Sequence, residues 1–174
     1  HSDHTLFLGH LNSQFETGIR NPLNFAILQA NCTGIRDYRK CDEIPFDFER
    51  RRVSIVVIRD SKRLLVTKGA PESVVQQCSD FESAGRVTGF TPSQKTLCLE
   101  VFNDLSNKGY RVLAVAYRDI ENRDAYSIED ESRLVLAGYL AFADPPRTDT
   151  RKTVADLALD GVQLKIITGD NELV

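Results

Sequence analysis

The segment Thr67-Lys68-Gly69-Ala70-Pro71-Glu72-Ser73 sets a cation and a glycine at the end of an apolar, β-rich run. The proline that follows suits a first helical turn, where unsatisfied backbone N–H groups attract negative charge. A cation, a close backbone approach and a helix start together fit an anionic or nucleotide ligand. As physics alone the segment is weak evidence, because strand–Gly–Pro–helix turns are common and a lysine at a strand end is usually solvated. A second candidate lies near the C-terminus, where the apolar run VQLKIIT leads into Thr168-Gly169-Asp170. Open parallel sheets bind ligands at such strand ends. Neither G-x-x-x-x-G-K-[ST] nor G-x-G-x-x-G occurs, so a nucleotide would have to be held without either common phosphate loop.

The elements that must position these residues follow from spacing. Leu6, Phe7, Leu11 and Phe15 recur at near-helical intervals over residues 3–15, and Pro22 opens a second helix, NPLNFAILQA. VSIVVIR and RLLVTK, separated by Asp60-Ser61-Lys62, read as an antiparallel hairpin. Pro71 begins a short helix through Cys78. Thr91-Pro92 gives an N-cap and first turn to a longer helix that Gly109 is placed to end. Strands are expected at 111–119 and 134–142, with the polar segment 120–133 as an exposed loop between them. At Asp144-Pro145-Pro146 the pattern changes, and a helical stretch over 147–159 followed by VQLKIIT looks like half of a βαβ unit.

Bulk properties narrow the class. The 174 residues are 41% hydrophobic, enough for one well-buried core, and the net charge of −3 offers no broad positive field for nucleic acid. The longest apolar runs, such as 134–143, fall short of the ~20 residues a membrane helix needs. The N-terminus lacks the basic start and continuous apolar stretch of a secretion signal. Cys32, Cys41, Cys78 and Cys98 lie far apart with no Cys-x-x-Cys pair, so reduced thiols packed in or near the core are expected.

Five segments, in order, resemble the cytoplasmic region of P-type cation-transporting ATPases. KGAPE at 68–72 is similar to the signature of that family's nucleotide-binding domain, and IPFDFERRRVSIVV at 44–57 to its phenylalanine-to-basic-strand motif. GYRVLAVAYRD at 109–119 resembles the glycine-x-arginine strand. DPPR at 144–147 and TGDN at 168–171 resemble the start and the Thr-Gly-Asp signature of the phosphorylation domain. The FERRR wording, and more loosely LNSQFETGIRNPLNFAIL at 11–28, look most like the magnesium-transporting branch.

The resemblance implies roles residue by residue. Phe46 matches the aromatic that stacks on adenine, with Phe48 as the substitute if the loop register differs; ordinary core packing is the alternative. Lys68 and Gly69 match the basic residue and close-approach glycine of the nucleotide cavity. Arg111 matches an arginine that reaches the phosphates, its planar guanidinium suited to bidentate contact. In Arg50-Arg51-Arg52, strand alternation sends Arg51 to the face opposite the other two, and counting from Phe46 to Ser54 makes it the phosphate-side cation. Asn24 stands where related pumps commonly have a carboxylate for the adenine amino group; an exposed helix residue is the equal alternative. Asp144, Thr168, Gly169 and Asp170 match positions near the terminal phosphates and magnesium.

The expected fold is therefore α+β: a mainly antiparallel sheet flanked by helices forms a nucleotide-binding domain over 1–142. A C-terminal fragment of an α/β phosphorylation domain follows over 143–174. The implied ligand is ATP with Mg2+, as MgATP. The implied partners are the remaining phosphorylation, actuator and transmembrane domains of the same pump, at the cytoplasmic face of the cell's inner membrane, with no nucleic acid. The DKTGT segment that supplies the phosphorylated aspartate does not occur here, nor does GDGxND, so the residues in hand are catalytically incomplete. A non-catalytic α+β interaction module, with KGAPE merely a turn, is the rival reading. A phosphatase built on Thr-Gly-Asp is disfavoured for want of a nucleophilic aspartate motif.

Overall fold

A computed structural model describes residues 3–18, 21–143, 150–165 and 167. Two helices come first, α1 (Asp3–Phe15) and α2 (Pro22–Gln29), followed by strands β1 (Arg39–Asp47), β2 (Arg52–Arg59) and β3 (Lys62–Gly69). Then come α3 (Pro71–Gln77), β4 (Cys78–Ser83), β5 (Arg86–Gly89), α4 (Pro92–Asn107), β6 (Tyr110–Ile120), β7 (Leu134–Ala143) and α5 (Thr150–Leu159). The strands form one sheet in the order β1-β2-β3-β6-β7-β4-β5, antiparallel throughout except where β4 runs parallel to β7. This is the α+β, mainly antiparallel architecture the sequence implies.

The apolar run in β2 is continuous rather than alternating because helices cover the sheet on both faces. Ile55 and Val57 pack with Val66, Val115 and Ala137 beneath Leu8 and Leu11 of α1. Val56, on the opposite pleat, packs with Leu65, Ala114, Ala116 and Leu136 against Val74 and Val75 of α3. Leu8, Leu11 and Val74 are wholly buried, and each contributes about 1.5–3 kcal/mol of transfer free energy. The β2–β3 turn is the two-residue kind whose twist suits a hairpin, with Asp60 and Ser61 both at positive φ (49° and 64°). Thr91 and Gln94 close a capping box on α4, and Gly109 follows that helix at φ 79°.

Two expectations need correction. The segment 120–133 is not simply an exposed loop: a short 3-10 turn at Ile128–Asp130 delivers Asp130 and Glu131 into buried positions. Residues 162–165 form no strand. A parallel strand needs neighbours to take its backbone hydrogen bonds, and none lies beside it among the described residues. α5 forms, with none of its residues buried. The β4–β5 hairpin, polar and near the sheet edge, was not expected at all. No helix among the described residues is long and apolar enough to cross a membrane.

Candidate functional site

The antiparallel register brings the candidate residues to one end of the sheet. Asp47 at the end of β1 pairs with Arg52 at the start of β2, Arg52 pairs with Gly69 at the end of β3, and Gly69 pairs with Ala114, near the start of β6. Phe46, the Arg51 turn, Lys68, Gly69 and Arg111 therefore line the same edge, across four neighbouring strands. At the usual ~4.8 Å between strands, that row spans about 14 Å. Arg111 and Lys68 share a face, since Lys68 pairs with Val115 and Arg111 lies two pleats before Val115.

Arg51 reaches its own position by a route other than strand alternation. Asp47 accepts backbone N–H bonds from Glu49 (2.9 Å) and Arg50 (2.8 Å) at its carboxylate, while the Arg51 N–H donates to the Asp47 carbonyl (2.7 Å). This winds residues 48–51 into a turn and leaves Arg51 at φ 47°, outside the strand. Its side chain is 53% exposed and lies 3.6 Å from Glu72. Gly69 is obligatory beneath that turn: a Cβ there would stand 2.4 Å from the Arg51 carbonyl oxygen and 2.6 Å from the Arg52 Cα. The absent side chain lets the Ala70 N–H donate to the Arg51 carbonyl (2.9 Å), tying the start of α3 to the turn.

The other two arginines of the triplet face a buried carboxylate. Glu131 accepts from Arg50 Nη1 (2.6 Å), Arg52 Nε (2.7 Å) and the Ser54 hydroxyl (2.7 Å), and Ser54 meets Thr67 at 2.7 Å. Arg52 also donates to Ser73 (2.8 Å), whose hydroxyl bonds the Arg50 carbonyl. Two guanidinium groups share the Glu131 carboxylate, and Arg50 also lies 3.9 Å from Asp47, so the base of the turn is a compensated ion-pair network. Glu131, Ser54, Thr67 and Ser73 were not singled out from the sequence. The available signal was a hydroxyl interrupting each apolar strand, at Ser54 and Thr67.

Phe46 is not core: it is 52% exposed, stands edge-on to the 88% exposed Phe48 at 5.3 Å between ring centroids, and lies within an irregular step between Ile44 and Asp47 that breaks strict alternation. Both rings are available for a planar ligand. Lys68 and Asn24, in contrast, are buried together. Asn21 caps α2 and Pro22 starts it, which sets Asn24 in the first turn with its N–H on the Asn21 side chain (3.0 Å). From there Asn24 Oδ1 accepts from Lys68 Nζ at 2.7 Å. Lys68 also donates to Ser13 (2.6 Å) and ion-pairs with Glu16 (3.2 Å), and Asn24 Nδ2 donates to Glu16. Burial pulls the Lys68 ammonium below its ordinary range, opposed by the Glu16 carboxylate. Neither the solvated-lysine nor the exposed-asparagine alternative describes this pair. Ser13 and Glu16 are further residues the sequence did not reveal.

Asp144, Thr168, Gly169 and Asp170 lie outside the described residues. Two surface cavities, of about 630 and 330 Å³, are lined by none of the described candidates. The larger lies where β6 ends, among Arg118, Arg123, Asp130 and Arg133, at the far end of the sheet from Lys68. All four cysteines are free thiols, with Cys78 buried and Cys41 exposed. Among the described residues no group of three or more His, Cys, Asp or Glu side chains could hold a metal.

The fold is α+β, with an aromatic and several cations along one end of a mainly antiparallel sheet. The model of the P-type ATPase cytoplasmic domain N matches residues 15–149, and the chain belongs to that family. It is 39% identical over 180 residues to a protein of Salmonella typhimurium named "Magnesium-transporting ATPase, P-type 1", covering 99% of this chain and 20% of that protein. The protein of that name from Escherichia coli is 38% identical over 181 residues, with the same coverage. A "Calcium-transporting ATPase" of Bacillus subtilis is 33% identical over 137 residues, 78% of this chain and 15% of that protein. The chain thus spans about one fifth of the length of the magnesium-transporting relatives.

Proposed function

We propose that this chain is the ATP-holding domain of a magnesium-transporting P-type pump. The observation that carries the reading is the row formed by Phe46, Arg51, Lys68, Gly69 and Arg111 at one end of the sheet, with Phe46 exposed for stacking. Adenine stacks on Phe46, with Asn24 toward the base edge. Arg51 and Arg111 approach the phosphates, and Lys68, paired with Glu16, anchors the floor of the site. Asp144, Thr168, Gly169 and Asp170 serve the terminal-phosphate side. Magnesium enters with the nucleotide, as MgATP.

In the intact pump the γ-phosphoryl group would pass in line to an aspartate carried by the phosphorylation domain. The contribution of this chain is positioning and charge neutralisation. Actuator and transmembrane domains would complete the pump at the cytoplasmic face of the membrane. Magnesium as the transported ion follows the names of the relatives at 39% and 38% identity.

Calorimetric titration of the chain and of Phe46→Ala with ATP tests the site. Losing one base–aromatic stack costs about 1–3 kcal/mol, so the variant should bind roughly fivefold to a hundredfold more weakly. Equal affinities would remove the stacking assignment. The exposed Phe46–Phe48 pair also suits a protein-docking module, which predicts no heat with ATP for either chain.

A further inference from the structure

We infer that Glu16 is a positioning residue for base recognition, locking the Asn24 amide so that position 24 offers a purine an N–H donor instead of an acceptor. This rests on the nucleotide-site reading above. An ammonium has three N–H donors, and Lys68 spends them on Ser13 Oγ (2.6 Å), Asn24 Oδ1 (2.7 Å) and Glu16 Oε2 (3.2 Å). Its side chain is 5% exposed, so it anchors its neighbours and keeps no N–H in hand for a phosphate.

Asn24 is fixed from both ends. Its Oδ1 accepts from Lys68 and faces the Ser13 hydroxyl at 3.5 Å, and its Nδ2 donates to Glu16. Turning the amide over would set NH2 against an ammonium and C=O against a carboxylate. With Oδ1 turned to the Lys68 ammonium and one Nδ2 hydrogen given to Glu16, the second Nδ2 hydrogen is the remaining donor. A donor at the base edge pairs with a ring nitrogen or a carbonyl oxygen of a purine, and it cannot take the exocyclic amino group that distinguishes adenine. Glu16, whose side chain is 7% exposed and which follows α1 directly, holds this arrangement because it faces Lys68 and Asn24 at once.

The consequence is weak discrimination between adenine and its 6-oxo counterpart, recoverable by moving the carboxylate. In Glu16→Gln/Asn24→Asp the single negative charge stays beside Lys68, while position 24 gains free acceptor lone pairs. In Glu16→Gln alone Lys68 is left buried without a counterion.

The experiment measures ATP and ITP affinities and the urea midpoint for the parent, Glu16→Gln, and the double variant. The expected results are parental affinities within about threefold of one another, and an ATP preference raised about tenfold or more in the double variant, as for a hydrogen bond to a charged acceptor. The urea midpoint should fall in the single variant and recover in the double. A parental ATP preference already above tenfold, or a double variant no more stable than Glu16→Gln, overturns the inference. A parent that binds both nucleotides in a Phe46-dependent way, with unchanged selectivity in all three chains, sinks it while leaving the nucleotide site standing. A parent that binds neither nucleotide overturns both.

Discussion

Removing the Glu131 carboxylate should be the most damaging single change to the platform under the candidate site. Its side chain is fully buried, while those of Arg50 and Arg52 are 18% and 10% exposed. Glu131→Ala therefore strands two guanidinium groups with little water to replace the partner, and breaking a buried pair in this way costs about 3–5 kcal/mol. For a chain of this size each kcal/mol lowers the melting temperature by about 2–4 °C, giving a fall of about 6–20 °C. Glu131→Gln separates charge from geometry. Its Oε1 can still accept from both arginines, which share one oxygen in the parent, and its amide can donate to Ser54. What it loses is the charge assistance of two bonds, about 1–3 kcal/mol in all. Arg51→Ala, at a half-exposed side chain 3.6 Å from Glu72, is the control and should cost under about 1 kcal/mol. Urea denaturation and scanning calorimetry read all three. Glu131→Ala unfolding within 1 °C of the parent, or Arg51→Ala costing as much, would refute the ranking of buried over exposed charge.

Gly69→Ala should destabilise by about 1–3 kcal/mol, because its methyl meets the immobile Arg51–Arg52 backbone, and it should weaken ATP binding in parallel by displacing the turn; unchanged denaturation would refute the close approach. Burial pushes the Cys78 thiol from 9.0 up to about 12. Above pH 9 the unfolded chain then binds fewer protons than the folded one, so stability from this group falls as pH rises toward 12. Cys78→Ala should flatten that slope between about pH 9 and 10, as read from denaturation midpoints. Exposed Cys41 should alkylate in the native state well before Cys78, and modification of both at one rate would contradict the packing.

Local chemistry was legible and long-range pairing was not. The β2–β3 hairpin follows from two β-rich runs around Asp60-Ser61, and α4 from Thr91-Pro92 at one end and Gly109 at the other; each signal is contained within a few residues. β4 and β5, with sequences CSDFES and RVTG, carry too few apolar residues to announce a hairpin, and their pairing depends on β7. The position of Lys68-Gly69 at a strand end was readable. Its burial was not, because Ser13 and Asn24 lie 55 and 44 residues away in sequence. Glu131 sits in a polar segment that reads as surface, and Arg50, Arg52 and Ser54, 77 to 81 residues earlier, are what draw it inside. Arg51 was separated from its neighbours for the wrong geometric reason. The Asp47 turn does what strand alternation was expected to do.

The central claim is that one end of the sheet receives ATP. An amide chemical-shift titration of the chain with ATP tests it residue by residue. The account predicts saturable shifts concentrated at Phe46, Arg51, Gly69 and Arg111. Silence at those amides in millimolar ATP, or shifts confined to the cavity around Arg118, Arg123 and Arg133 at the opposite end, would contradict it.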